Sequence, residues 1–276
     1  MGKRLVWWKW LLLLLAGFIV FAFALGFSEI PWGIDELHPM SVWVFILLCL
    51  LGAGIVLVLY SAWRRIDGFR RAPDLTMRKL NSDLWAGFGI GALFFALVTG
   101  SIALLGGYRI GAVRWDTVSV VKIFFQFFVV GVGEEVLFRG IVFRMLDERW
   151  GTLVALILSS LLFGFLHITN ENATVWSSIA ITVEAGLLLG AAYKWSGSLW
   201  LPIGIHWAWN FFQGPVFGFA VSGNETYSLI SPVIEGPLWM TGGDFGAEAS
   251  VPAVILGLAV TILFFYTPSR KADTIR

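Results

Sequence analysis

Charge is scarce in this chain. Only 13% of its 276 residues are Asp, Glu, Lys or Arg, while 58% are hydrophobic and 16% aromatic. An ordinary soluble domain carries about 25% charged residues, so that class is excluded. Net charge is +1, so it implies no acidic or basic partner. Cysteine is nearly missing: Cys49 stands alone, so an intrachain disulfide and a multi-cysteine metal site are both ruled out. Histidine is limited to His38, His167 and His206. Gly2 lacks a myristoylation signal, because Val6 stands where Ser or Thr is required.

What is abundant is long apolar sequence. About eight stretches, near 8–27, 41–63, 84–106, 118–146, 152–170, 175–195, 197–217 and 251–267, approach or exceed the roughly 20 residues that cross a hydrocarbon core. The expected fold is an all-α polytopic membrane protein, a bundle of about eight transmembrane helices forming a single integral-membrane domain over 1–276. The first stretch is too long for a signal peptide and lacks a small-residue cleavage site, so it reads as a retained span. Lys3, Arg4, Arg64, Arg65, Arg70, Arg71, Arg78, Lys79, Arg144, Arg149, Lys194, Arg270, Lys271 and Arg276 fall on alternate connections. The intervening ones carry Asp35, Glu36, Glu171, Glu225, Glu235, Asp244 and Glu248, with Arg109, Arg114 and Lys122 as exceptions. The positive-inside rule then puts both termini in the cytoplasm, as an even number of spans requires. The Gly-rich stretch 222–250 reads as an external loop.

Ionisable groups inside spans are costly and mark functional sites by default. Those present are Glu134, Glu135, Arg139, His167, Glu184 and His206, with Asn210 beside them. Glu135 and Arg139, at i and i+4, can neutralise each other on one helix face. Glu134 projects about 100° away and needs another partner. The span carrying it and the next one form a hairpin turning near 147–152. At 1.5 Å per residue, Glu134 and His167 lie roughly 21 Å and 24 Å from that turn, at one level. His206 and Asn210, again at i and i+4, share a face. Glu184 has no i+4 partner; it can support the site, pair with Arg139 or stay protonated. His38 reads as a loop residue.

Two chemistries suit this set. A carboxylate in a low-dielectric site can serve as general base towards water, with an imidazole sharing the role and His–Asn donors stabilising an oxyanion. Two histidines and a glutamate are also a zinc ligand set. Amide hydrolysis within the membrane is common to both. The HExxH of zincins, the GxSG of rhomboid-type serine sites and the GxGD of aspartyl sites are absent from the chain.

E-E-x-x-x-R (Glu134, Glu135, Arg139), F-x-x-x-H (Phe163, His167) and H-x-x-x-N (His206, Asn210), in this order and each within an apolar span, resemble the CPBP family. That family comprises the CAAX prenyl endoproteases and the bacteriocin-processing and immunity (Abi) proteins. The resemblance covers roughly 119–213, a CAAX-protease-like catalytic core. It implies an eight-helix intramembrane endopeptidase in which Glu134 and His167 activate water and His206 and Asn210 form the oxyanion hole. Glu135 and Arg139 position Glu134, and Phe163 supports the site. It implies a metal-independent mechanism, so no cofactor is assigned, zinc being the alternative not adopted. The implied partners are a membrane-associated protein or peptide substrate and the lipid bilayer, in the cell membrane, with no nucleic acid. The alternatives are a non-catalytic scaffold or bacteriocin-immunity factor, and a proton-coupled transporter using the carboxylates as a relay. Internal repeats, expected of many transporters, are not seen.

Overall fold

The computed structural model describes residues 6–66 and 72–269. Lys3, Arg4, Arg70, Arg71, Arg270, Lys271 and Arg276, which contribute to the charge pattern, lie outside the described residues.

Helices α1 (Trp7–Leu37), α2 (Val42–Ile66) and α3 (Leu80–Leu104) are followed by a strand, β1 (Tyr108–Val113). Helix α4 (Thr117–Glu135) starts on Asp116, whose carboxylate accepts from the Val118 and Ser119 amides and so satisfies donors that a helix start leaves orphaned. It continues through a π-helical stretch (Val136–Phe143) into α5 (Arg144–Trp150). Gly151, at φ +87°, breaks the rod and starts α6 (Thr152–Leu166). Helix α7 (Val175–Ile181), a π turn (Thr182–Gly186) and α8 (Leu187–Ser196) make the next rod. Helix α9 (Trp200–Phe211) runs into a further π turn (Phe212–Val216). Strand β2 (Ile230–Ile234), the single turn α10 (Leu238–Thr241) and α11 (Val251–Tyr266) complete the chain.

Each apolar stretch read from the sequence lies on one of these rods. Among the described residues, five helical segments are long and apolar enough to cross a membrane: Trp7–Leu37, Val42–Ile66, Pro73–Leu104, Thr152–Thr169 and Val175–Ser196. The fold is all-α and membrane-like, with large apolar side chains such as Leu51, Val58, Leu97, Leu161 and Ile262 turned outward.

Lipid tails are as apolar as leucine, so helices in a bilayer gain by close contact rather than by hiding apolar surface. The α3–α9 seam follows that rule. A Cβ added at Gly87 would strike the Leu201 carbonyl, one at Gly91 the Ile205 carbonyl, and one at Gly204 the Leu84 carbonyl. The three glycines let two backbones touch along α9, the helix that carries His206 and Asn210. Trp207 anchors the same helix to α4 by donating from Nε1 to the Phe124 carbonyl at 2.8 Å.

The two ends of the bundle differ. At one end, Trp10 at the start of α1 donates to the Met145 carbonyl. Nearby, buried Asp74 accepts from the hydroxyls of Tyr60 (2.6 Å) and Tyr193 (2.8 Å), and Lys194 pairs with Asp147 at 2.7 Å. At the other end, Asp35 near the close of α1 pairs with Lys122 near the start of α4 at 2.8 Å.

Two features were not anticipated. Strands β1 and β2 pair antiparallel, from Tyr108 opposite Ile234 to Val113 opposite Ile230, with an irregularity between Ile110 and Ala112. The stretch 222–250 is also more than an external loop: its last part returns into the bundle, burying Phe245, Ala247, Glu248, Ala249 and Ser250.

Candidate active site

Glu134 and Glu135 end α4, and the winding changes to π immediately after them. Such irregular turns recur at functional sites because they redirect side chains without ending the helix. Here the change accompanies a dense buried knot. Arg139 Nη1 donates to Glu135 Oε1 at 2.8 Å, and Arg139 Nη2 reaches the Ala185 and Gly186 carbonyls, both at 3.3 Å. The guanidinium also lies over the Phe163 ring, 4.7 Å from its centroid. These residues come from α4, the α7–α8 rod and α6, so one arginine ties three rods together. The i, i+4 pair read from the sequence is present.

Glu135 has a second partner that the sequence did not disclose. His206 Nδ1 lies 2.9 Å from Glu135 Oε1. A carboxylate can only accept, so Nδ1 donates and Nε2 is the nitrogen left to face the site. Nε2 lies 3.9 Å from Glu134 Oε2. His167 is oriented in the same way: its Nδ1 is 2.7 Å from the Phe163 carbonyl, which likewise can only accept. Phe163 thus holds both histidines in place, by its carbonyl for His167 and by ring contacts to His167 (4.7 Å) and His206 (6.2 Å).

Glu134, His167, His206 and Asn210 line one cavity of about 760 Å³. Asn210 is 7% exposed, and among the described residues its side-chain amide has no hydrogen-bond partner. Glu134 Oε2 likewise accepts no hydrogen bond there. His167, His206 and Asn210 also border an inner recess of about 20 Å³, room for about one water.

Glu184 does not join them. It is fully buried, its carboxyl oxygens have no hydrogen-bond partner among the described residues, and Arg139 bonds the two carbonyls after it instead. The wall of the recess contains a carboxylate that sequence reading took for a loop charge, Glu248. It accepts from the Ser222 amide, and burial pushes its carboxyl up to about 7. A lone acid in the apolar run GAEASVPAV was the signal available. His38 follows the end of α1 and is exposed, as expected of a connecting residue. Among the described residues no group of three or more His, Cys, Asp or Glu side chains is arranged to hold a metal ion.

Fold and site together define a multi-pass helical membrane protein with a buried carboxylate, imidazole and amide cluster contributed by separate rods. Residues 115–212, the segment bearing all the motif residues, match the family described as type II CAAX prenyl endopeptidase Rce1-like, which supports the resemblance to the CAAX-protease (CPBP) family. Comparison with curated proteins finds no match. Comparison with solved structures finds none either.

Proposed function

We propose that the protein is an intramembrane endopeptidase that cuts a membrane-associated peptide with a water activated by Glu134 and His167. The observation that carries this reading is the division of labour between adjacent glutamates. Glu135 Oε1 serves both Arg139 and His206 away from the cavity, whereas Glu134 lines the cavity and its Oε2 accepts no hydrogen bond among the described residues.

In this scheme Glu134 takes a proton from water while His167 Nε2 accepts the water's other hydrogen. The hydroxide adds to the scissile carbonyl. Asn210 Nδ2, and His206 as an imidazolium that keeps its Nδ1 proton directed at Glu135 and donates from Nε2, stabilise the oxygen as it gains charge. Glu134 then returns its proton to the leaving amine, and the C–N bond breaks. The proton balance closes on Glu134 alone, so no metal is invoked. Cleavage of a membrane-associated reporter by the purified protein tests this directly. Asn210→Ala should lower kcat about 10²-fold while the protein stays folded, because only a donor to the transition state is lost. Unchanged turnover would remove Asn210 from the oxyanion site.

The proposed topology has eight crossings and cytoplasmic termini. It is supported by the gathering of Arg64, Lys79, Arg144 and Lys194 towards one end and of Asp35, Glu36, Glu171 and Glu225 towards the other. Cys49 is buried and gives no background. A membrane-impermeant maleimide on intact cells should therefore label Glu225→Cys and spare Asn81→Cys; the opposite pattern would invert the protein.

A further inference from the structure

We infer that the large cavity receives a cationic peptide segment, entering from the end of the bundle opposite the arginine-rich turns. This rests on the endopeptidase reading for what is cut, but not for what is bound.

Besides Glu134, the carboxylates of the cavity wall are Glu29, Glu36, Glu171 and Glu225, and among the described residues no lysine or arginine lines it. These four come from three separate parts of the chain: the last turns of α1, the turn after α6 and the loop after α9. Of the cations on this side, Lys122 pairs with Asp35 at 2.8 Å and Arg109 with Glu235 at 2.9 Å, and none of Lys122, Arg109 and Arg114 lines the cavity. The carboxylates around the opening are therefore uncompensated, and a cleft of one sign with low-dielectric walls concentrates ions of the other.

The chemistry at the floor of this cavity independently calls for a ligand. Asn210 is more than nine-tenths buried, borders the cavity and has no partner among the described residues. Its amide can donate to a carbonyl and accept from an N–H, as peptide backbone requires. Helix α4 adds apolar wall through Ile123, Phe127 and Val130 beside Gln126 and Glu134. The rim is fixed: Asn170 Nδ2 donates to the Ser222 carbonyl at 3.1 Å and Asn172 Nδ2 to the Gly223 carbonyl at 3.3 Å. An extended segment fits these features when apolar residues sit at the floor and Lys or Arg lies a few residues away at the rim. A free carboxylate held among the glutamates would meet like charge.

Binding is measured with full-length Glu134→Gln protein in nanodiscs, which holds peptide without cutting it. The probes are amidated fluorescent peptides with one apolar centre and either lysine or glutamine flanks. Lysine flanks should tighten binding about tenfold at low salt, and the gain should shrink as ionic strength rises. Adding Glu36→Lys, Glu171→Lys and Glu225→Lys together should abolish the preference. Equal affinity for both peptides, or a preference untouched by the triple change, overturns the inference. Lysine preference in a protein whose wild type cuts neither peptide leaves it standing and removes the protease reading. Cleavage without charge preference does the reverse.

Discussion

Glu134→Gln should lower kcat by about 10³- to 10⁴-fold with little change in KM or in thermal unfolding. The magnitude is that of losing a positioned general base. The amide keeps the shape and most of the polarity of the carboxylate but cannot take a proton from water. Stability should hold because Glu134 is not part of the Arg139 knot. His206 Nε2 lies 3.9 Å from its Oε2, beyond hydrogen-bond reach. Glu135→Gln provides the contrast: it should perturb activity and folding together, since its Oε1 serves both Arg139 and His206. The measurement is reporter cleavage beside a melting curve for each purified variant. Near wild-type turnover in Glu134→Gln would end the glutamate-base mechanism.

Arg139→Met should be the most damaging change to stability, about 3–5 kcal/mol, the cost of leaving a buried charge without its partner. Arg139 is 1% exposed and Glu135 is fully buried, so neither can recover its lost interaction from water. The substitution also frees the Ala185 and Gly186 carbonyls and removes the cation from the Phe163 ring. Methionine retains most of the volume, so the loss reads out charge and hydrogen bonding rather than a hole. Adding Glu135→Gln should recover part of the loss, because the buried carboxylate, which then keeps only its bond to His206 among the described residues, is gone. Denaturant unfolding in detergent would measure both variants. A change below about 1 kcal/mol for Arg139→Met would mean that the knot does not hold the rods together.

Much of this was legible in the sequence, for reasons that differ by residue. The rods follow from apolar length, which lipid enforces directly. Glu134, Glu135, Arg139, His167, His206 and Asn210 stand out because charge and strong polarity are rare in such rods, and the i, i+4 spacing of Glu135 with Arg139 is a local property of a helix. The bond from His206 to Glu135 was hidden because it joins α9 to α4 and depends on how far two rods slide past each other. The π stretch after Glu135 was hidden too, since VLFRGIVF has no residue that compels it. Glu248 was misjudged because its segment is rich in Gly and Ala, a composition shared by surface loops and by tight backbone packing. Glu184 was ambiguous on sequence alone; Arg139's choice of two backbone carbonyls separates it from the knot.

The β1–β2 ribbon has a consequence for the order of manufacture. Tyr108 pairs with Ile234, and between them in the chain lie all the catalytic side chains proposed above. A ribosome delivers the amino-terminal strand first, and it waits for its mate until α4 through α9 have emerged. Glu248, the inner wall of the water-sized recess, follows later still. The nascent protein therefore carries its Glu, His and Asn groups before the ribbon can pair and before Glu248 completes the recess wall. Its working site is closed by a segment made after the groups that it encloses.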